Sequence, residues 1–127
     1  MPDRVFVSFD YDHDRFLKEA LIGQSKNPDS PFEVADWSIK EPSPDWRKRA
    51  RYRIASSDLV IVICGEHTHQ ALGVGIEVEL AQEVGVPYVL IQGYDQRQCT
   101  KSTTARATDS VYDWTWPNLK LLVGGAR

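Results

Sequence analysis

The chain is predicted to form an α/β sandwich around a mainly parallel five-stranded sheet, and three observations carry that expectation. The stretch from Asp58 to Pro87, DLVIVICGEHTHQALGVGIEVELAQEVGVP, reads as strand, loop, helix and turn in one unit. Two runs, RVFVSF (residues 4–9) and LVIVIC (59–64), are apolar on both faces, as parallel strands covered by helices on each side must be. Strand-like runs then alternate with helical spacing along the whole chain, which is the signature of βαβ units. With 127 residues, no repeats and no linker, one domain spanning 1–127 is expected.

Taken in order, Arg4 to Phe9 is the first strand. The polar run Asp10-Tyr11-Asp12-His13-Asp14 reads as a turn, after which Phe16, Leu17, Ala20 and Leu21 recur at helical spacing, ending before Asn27-Pro28. Phe32 to Trp37 follows a Pro/Asp/Ser breaker and reads as an edge strand. Ser43-Pro44-Asp45 is a helix start, with serine as N-cap and proline in the first turn. In that helix, which should run to about Ser56, Trp46, Ala50 and Ile54 share one face, while Arg47, Lys48, Arg49, Arg51 and Arg53 crowd the remainder. The basic cluster reads as a solvated face; the sharper alternative is that one or two guanidinium groups fork onto phosphate.

Leu59 to Cys64 should lie at the centre of the sheet. A helix from about Gln70 to Glu83 follows, stopped by Gly85, and Pro87 opens a strand at Tyr88 to Gln92. The polar segment Gly93 to Asp109 is loop-like. Val111 to Trp114 reads as a short fifth strand and Pro117 to Val123 as a closing helix. An α/β sheet of this size is of flavodoxin-like rather than full dinucleotide-binding proportions. Ligands in such folds bind beyond the carboxyl ends of the strands, here the tips after Phe9, Trp37 and Cys64.

Several function classes drop out. No segment has membrane-spanning length, the N-terminus lacks a signal-peptide pattern, and a cytoplasmic, membrane-free protein is expected. Cys64 and Cys99 sit in no CxxC or metal-like spacing, and His67 and His69 lack an evident third ligand, so no metal is expected. The net charge of −3 and the absence of aromatic residues interleaved with the basic ones argue against nucleic acid. Neither a GxGxxG after the first strand nor a P-loop is present.

Projected at about 100° per residue, the central helix gathers Ala71, Val74, Val78, Ala81 and Gly85, widened by Ile76, Leu80 and Val84, into one apolar arc. Glu77 falls inside that arc. Glu79, Gln82 and Glu83 fall on the opposite side, where solvent should be. A carboxylate in an apolar face near the carboxyl end of the sheet needs a partner or a task.

The order VFVSFDYDHD, ADWS, a Trp-led basic helix, SSDLVIVICGEHTH, IEVELAQEVGVP and VYDWTWPNLK resembles the small TIR-like proteins of bacterial antiphage defence, including the Thoeris type. The resemblance covers most of the chain. It implies the flavodoxin-like fold and, as in enzymatic TIR members, cleavage of NAD at the nicotinamide–ribose bond to give ADP-ribose, a cyclic form or another modified form as a signal. NAD would be substrate, with no cofactor; an effector protein sensing the product and self-association are also implied. The family pattern W-[CV]-x-x-E-[LI]-x-x-A places its catalytic glutamate on Glu77, the residue that the helix projection also singles out. Gly73 and Val74 stand where the pattern has tryptophan and its neighbour, so an aromatic wall is absent or supplied from elsewhere. The resemblance further implies ligand contacts from Phe9, Asp10, Asp36, Ser38 and Trp46. Two alternatives stand beside it: a nucleoside deoxyribosyltransferase-like enzyme, which also sets a glutamate against an anomeric carbon, and a non-catalytic TIR-like interaction module.

Overall fold

The computed structural model describes residues 3–38 and 44–125. Its strands are β1 (Asp3–Phe9), β2 (Phe32–Trp37), β3 (Leu59–Cys64), β4 (Tyr88–Gln92) and β5 (Val111–Asp113). Its α-helices are α1 (Tyr11–Ser25), α2 (Trp46–Ala55), α3 (Leu72–Val84) and α4 (Trp116–Val123). The sheet order is β2-β1-β3-β4-β5 and every pairing is parallel. This is the flavodoxin-like arrangement expected from the sequence, with β3 at the centre and β2 at an edge.

Side-chain alternation along the strands builds two cores. Val5, Val7 and Phe9 of β1 and Leu59, Ile61 and Ile63 of β3 face Leu17 and Leu21 of α1 and Leu119 and Leu122 of α4. Phe6, Val60, Val62 and Cys64 face the other way, against Ala50 and Ile54 of α2 and Val74, Val78 and Ala81 of α3. Ser8 shares the parity of Phe6, so it points to the α2/α3 side, where a polar residue has no obvious place.

Three expectations need correction. The run Asp10 to Asp14 is not a turn: α1 begins at Tyr11, because the Asp10 carboxylate accepts the Asp12 amide at 3.2 Å and its carbonyl accepts the Asp14 amide at 2.8 Å. Acidic residues in the first turn suit the positive end of the helix dipole. As a consequence Asp14 is buried and Phe16, expected to face inward, is exposed. The helix expected from Gln70 begins instead at Leu72, because Thr68–Gln70 forms a 3-10 turn, with the Gly65 amide donating to Thr68 Oγ1 at 2.7 Å. The expected cap Ser43 lies outside the described residues; Asp45 occupies the cap position of α2.

Residues 93–110 return the chain from the carboxyl end of β4 to the start of β5, irregularly but along a fixed path. Thr100 N donates to Gly65 O at 2.8 Å, and Thr104 Oγ1 donates to Gly75 O at 2.7 Å. Gln82, expected in solvent, bonds to Thr104 O and to Tyr88 Oη, because this segment covers that flank of α3.

Gly65 is fixed by close approach, since a Cβ there would run into the Asp14 carboxylate. Gly65→Ala should therefore lower the midpoint of denaturant unfolding, by roughly 1–3 kcal/mol. Gly23 is an exposed residue inside α1 with nothing within 4 Å of an added Cβ. Gly23→Ala should shift the midpoint the opposite way, by about 0.5–1 kcal/mol. Equal shifts for the two variants would refute the steric assignment at Gly65.

Candidate functional site

A cleft of about 420 Å³ opens at the carboxyl end of the sheet, in the size range of small-molecule sites. Its lining comes from the tips of β1 and β2, the start of α1, the head of α2, the turn after β3 and the first turns of α3. Phe9, Asp10, Ser38, Trp46 and Glu77, all singled out from sequence, come together there. Asp36 does not. As a strand residue two positions before Ser38 it shares that residue's parity, yet its carboxylate pairs with Arg53 of α2 at 3.2 Å, outside the cleft.

Glu77 is 1% exposed. Its Oε1 accepts the hydroxyl of Ser8 at 2.7 Å and that of Ser38 at 2.6 Å. This explains the polar residue on the inner face of β1. Ser38 is positioned by the sheet itself: its amide donates to Val7 O at 3.0 Å, and its Oγ accepts the Phe9 amide at 3.1 Å. Burial pushes the Glu77 carboxyl up from the ordinary 4.5 to about 7, against the two serine hydrogen bonds, which pull it down.

Trp46 is buried and flanks the cleft beside Gly73. Its ring carbon Cζ2 lies 3.8 Å from where a Gly73 Cβ would sit. The aromatic wall that the family pattern draws from α3 thus comes from α2, and the bare glycine leaves room for the indole. Its Nε1 is buried with no hydrogen-bond partner among the described residues.

Asp10 lines the cleft, but both its oxygens are engaged. Oδ1 accepts the Asp12 amide, and Oδ2 lies 2.7 Å from Nδ1 of His13. The His13 ring stacks on His67, with centroids 4.2 Å apart and an interplanar angle of 28°. Hydrogen bonding to Asp10, with further help from Asp14 and Asp12, raises the His13 pKa against the lowering effect of desolvation. Both histidines line the cleft, and neither was singled out from sequence for this site. The available signal was the Asp10/His13 spacing at a helix start; reading that stretch as a turn concealed it. His69, the other loop histidine, bonds instead to Thr100.

Among the described residues the lining carries three carboxylates, Asp10, Asp12 and Glu77, and no lysine or arginine. Three arginines of α2 are occupied elsewhere, Arg47 and Arg51 with Glu83 and Arg53 with Asp36. The basic cluster is therefore a solvent-facing surface with charge partners, and such exposed pairs contribute little stability.

Glu77 supplies a test of its own environment. The unfolded chain ionises this residue near 4.5 and the folded protein near 7, so folding is opposed increasingly as pH rises between those values and by a constant amount above them. Glu77→Gln removes the charge and keeps an oxygen for the serines. It should raise the melting temperature at pH 8, by an amount on the order of 3 kcal/mol in stability, and leave it nearly unchanged at pH 4. A variant less stable than wild type at pH 8 would contradict the buried-charge account.

Residues 6–98 match a family model described as Thoeris protein ThsB, TIR-like domain. No curated protein matches the chain.

Proposed function

Because the chain belongs to the family of Thoeris ThsB TIR-like domains, we propose that it cleaves NAD at the nicotinamide–ribose bond and so makes a nucleotide signal for a partner effector in antiphage defence. The observation that carries this reading is Glu77, a buried carboxylate at the cleft whose burial is opposed by its charge and which no arginine or lysine pairs with among the described residues. A charge placed where folding resists it is a mark of a functional group.

The chemistry follows from the residue types. When the bond from ribose C1′ to the ring nitrogen breaks, the electron pair stays on nitrogen and nicotinamide leaves neutral, needing no proton. Positive charge shifts to C1′ and the ring oxygen, and the ionised Glu77 stabilises it in a site from which water is largely excluded. The carboxylates of the lining also favour the cationic nicotinamide ring of the substrate. Trp46 and Phe9 offer aromatic surface for a flat ring. The first turn of α3, which has no side-chain cap and borders the cleft, offers amides to a phosphate. Attack on C1′ by water gives ADP-ribose; attack by a hydroxyl or the adenine of the same molecule gives a cyclic product.

Incubation of concentrated, assembled protein with NAD, and separately with deoxynucleosides and free bases, followed by chromatography and mass spectrometry, tests the reading. Nicotinamide release is expected, with base exchange between deoxynucleosides absent. Glu77→Gln should reduce the release at least about 10²-fold; release that survives this change rules out Glu77 as the catalytic group. Because the ionised form acts, kcat/KM should rise with pH up to about 7 and level off above it. Ser8→Ala removes a hydrogen bond that lowers this pKa, and should move the inflection to higher pH. An unmoved inflection would assign it to another group.

A further inference from the structure

Cleavage of the glycosidic bond needs one carboxylate, but transfer to water or to a hydroxyl leaves a proton that Glu77 is badly placed to take. Its Oε1 already accepts two serine hydroxyls, and its negative charge is what opposes the cation at C1′. A second proton acceptor stands in the same cleft. The Asp10 carboxylate, 8% exposed and fixed as the cap of α1, holds His13 Nδ1 at 2.7 Å. Since the carboxylate can only accept, Nδ1 carries the proton, and in the neutral ring Nε2 then holds the lone pair. Among the described residues Nε2 has no hydrogen-bond partner, and the ring is about half exposed, at 51%, while stacking on His67 fixes its plane. No carboxylate hydrogen-bonds to the His67 ring among the described residues, so His13 is the imidazole with an orienting group.

We infer that His13, oriented by Asp10, is the general base that accepts the proton of the water or hydroxyl attacking C1′, a role that rests on the NAD-cleavage reading. The acceptor oxygen forms the bond to C1′ with its lone pair. Its O–H bond breaks and the proton passes to Nε2, where the resulting imidazolium is stabilised by Asp10 before solvent takes the proton. The electrons of the broken C1′–N bond have already left with nicotinamide, so no oxidant or reductant is required. His13 becomes a residue that governs what the ribosyl cation is transferred to, separately from whether it forms.

An acceptor that carries no proton separates these steps. A pyridine such as 3-acetylpyridine attacks C1′ through its ring nitrogen and has nothing for a base to remove. With NAD and 3-acetylpyridine present, His13→Gln should lower formation of ADP-ribose, and of any cyclic product closed through a hydroxyl, by about 10²-fold or more, while formation of the exchanged dinucleotide stays near the wild-type rate. Asp10→Asn retains a residue that caps α1 but leaves the imidazole in the wrong tautomer, and should skew the products in the same direction. His13 is exposed in the first turn of α1, so loss of fold is not the expected result of its replacement. Equal loss of hydroxyl transfer and exchange in the His13 variant, or loss of neither, overturns the inference while leaving NAD cleavage standing. Wild-type protein that carries out neither reaction overturns both.

Discussion

The hydrogen-bonded junction of Ser8, Ser38 and Glu77 is the contact on which the cleft depends, because it joins three elements through one oxygen. Ser8 comes from the inner face of β1, Ser38 from the chain leaving β2, and Glu77 from the first half of α3. Ser38 is bonded to β1 twice, its amide donating to Val7 O and its Oγ accepting the Phe9 amide, so the junction is rigid on the sheet side. On the helix side, Val74, Val78 and Ala81 are packed into the core and leave Glu77 only 1% exposed, where it meets the cleft. A buried carboxyl with two donors is tolerable as a neutral acid and expensive as an anion. The same packing that positions the group therefore sets its ionisation near neutrality, and stability and charge at the cleft are opposed by construction.

Most of this fold is legible in the sequence because its central strands are apolar on both sides and its helices carry one clear stripe. Leu59 to Cys64 could hardly be anything other than a covered strand. The failures share a cause: polar residues whose partners are local or remote rather than solvent. Asp10 to Asp14 looks like a turn by composition, yet its acids cap and begin a helix, and Asp14 reaches Tyr94 from a distant loop at 2.7 Å. Gln82 sits on the polar side of α3, but the irregular segment after β4 covers it, and no periodicity marks where such a segment will lie. Glu77 was found because a helix projection needs only local geometry. Ser38 and Asp36 were separated only by the structure, since strand parity does not tell which carboxylate an arginine on α2 will capture.

Trp46 answers the departure at Gly73. A pattern written along one helix records which residues neighbour the glutamate in sequence, whereas a ligand meets whatever is near in space. Gly73 withdraws bulk from α3, and the head of α2 brings an indole to that place, with a buried Nε1. The orientation of this indole is tied to α2. The short helix is itself held by Ala50 and Ile54 against the sheet, so the wall is as well anchored as one borne by α3.

The electrostatics of the cleft bear on how its carboxylates can divide labour. Its three acids would repel one another if all were free and ionised. They are not equivalent. Asp10 is bonded through both oxygens to a helix amide and an imidazole, so its charge is shared with His13. Asp12 is exposed, where solvent screens it. Glu77 is the most deeply buried of the three, and its charge acts through little intervening water. On the NAD-cleavage reading, a cation forming in the cleft would therefore be stabilised mainly by Glu77, while Asp10 acts through the imidazole it holds. Two carboxylates at the mouth of one sheet are thus suited to different events, one to the charge that develops at carbon and the other to the proton that the incoming oxygen must lose.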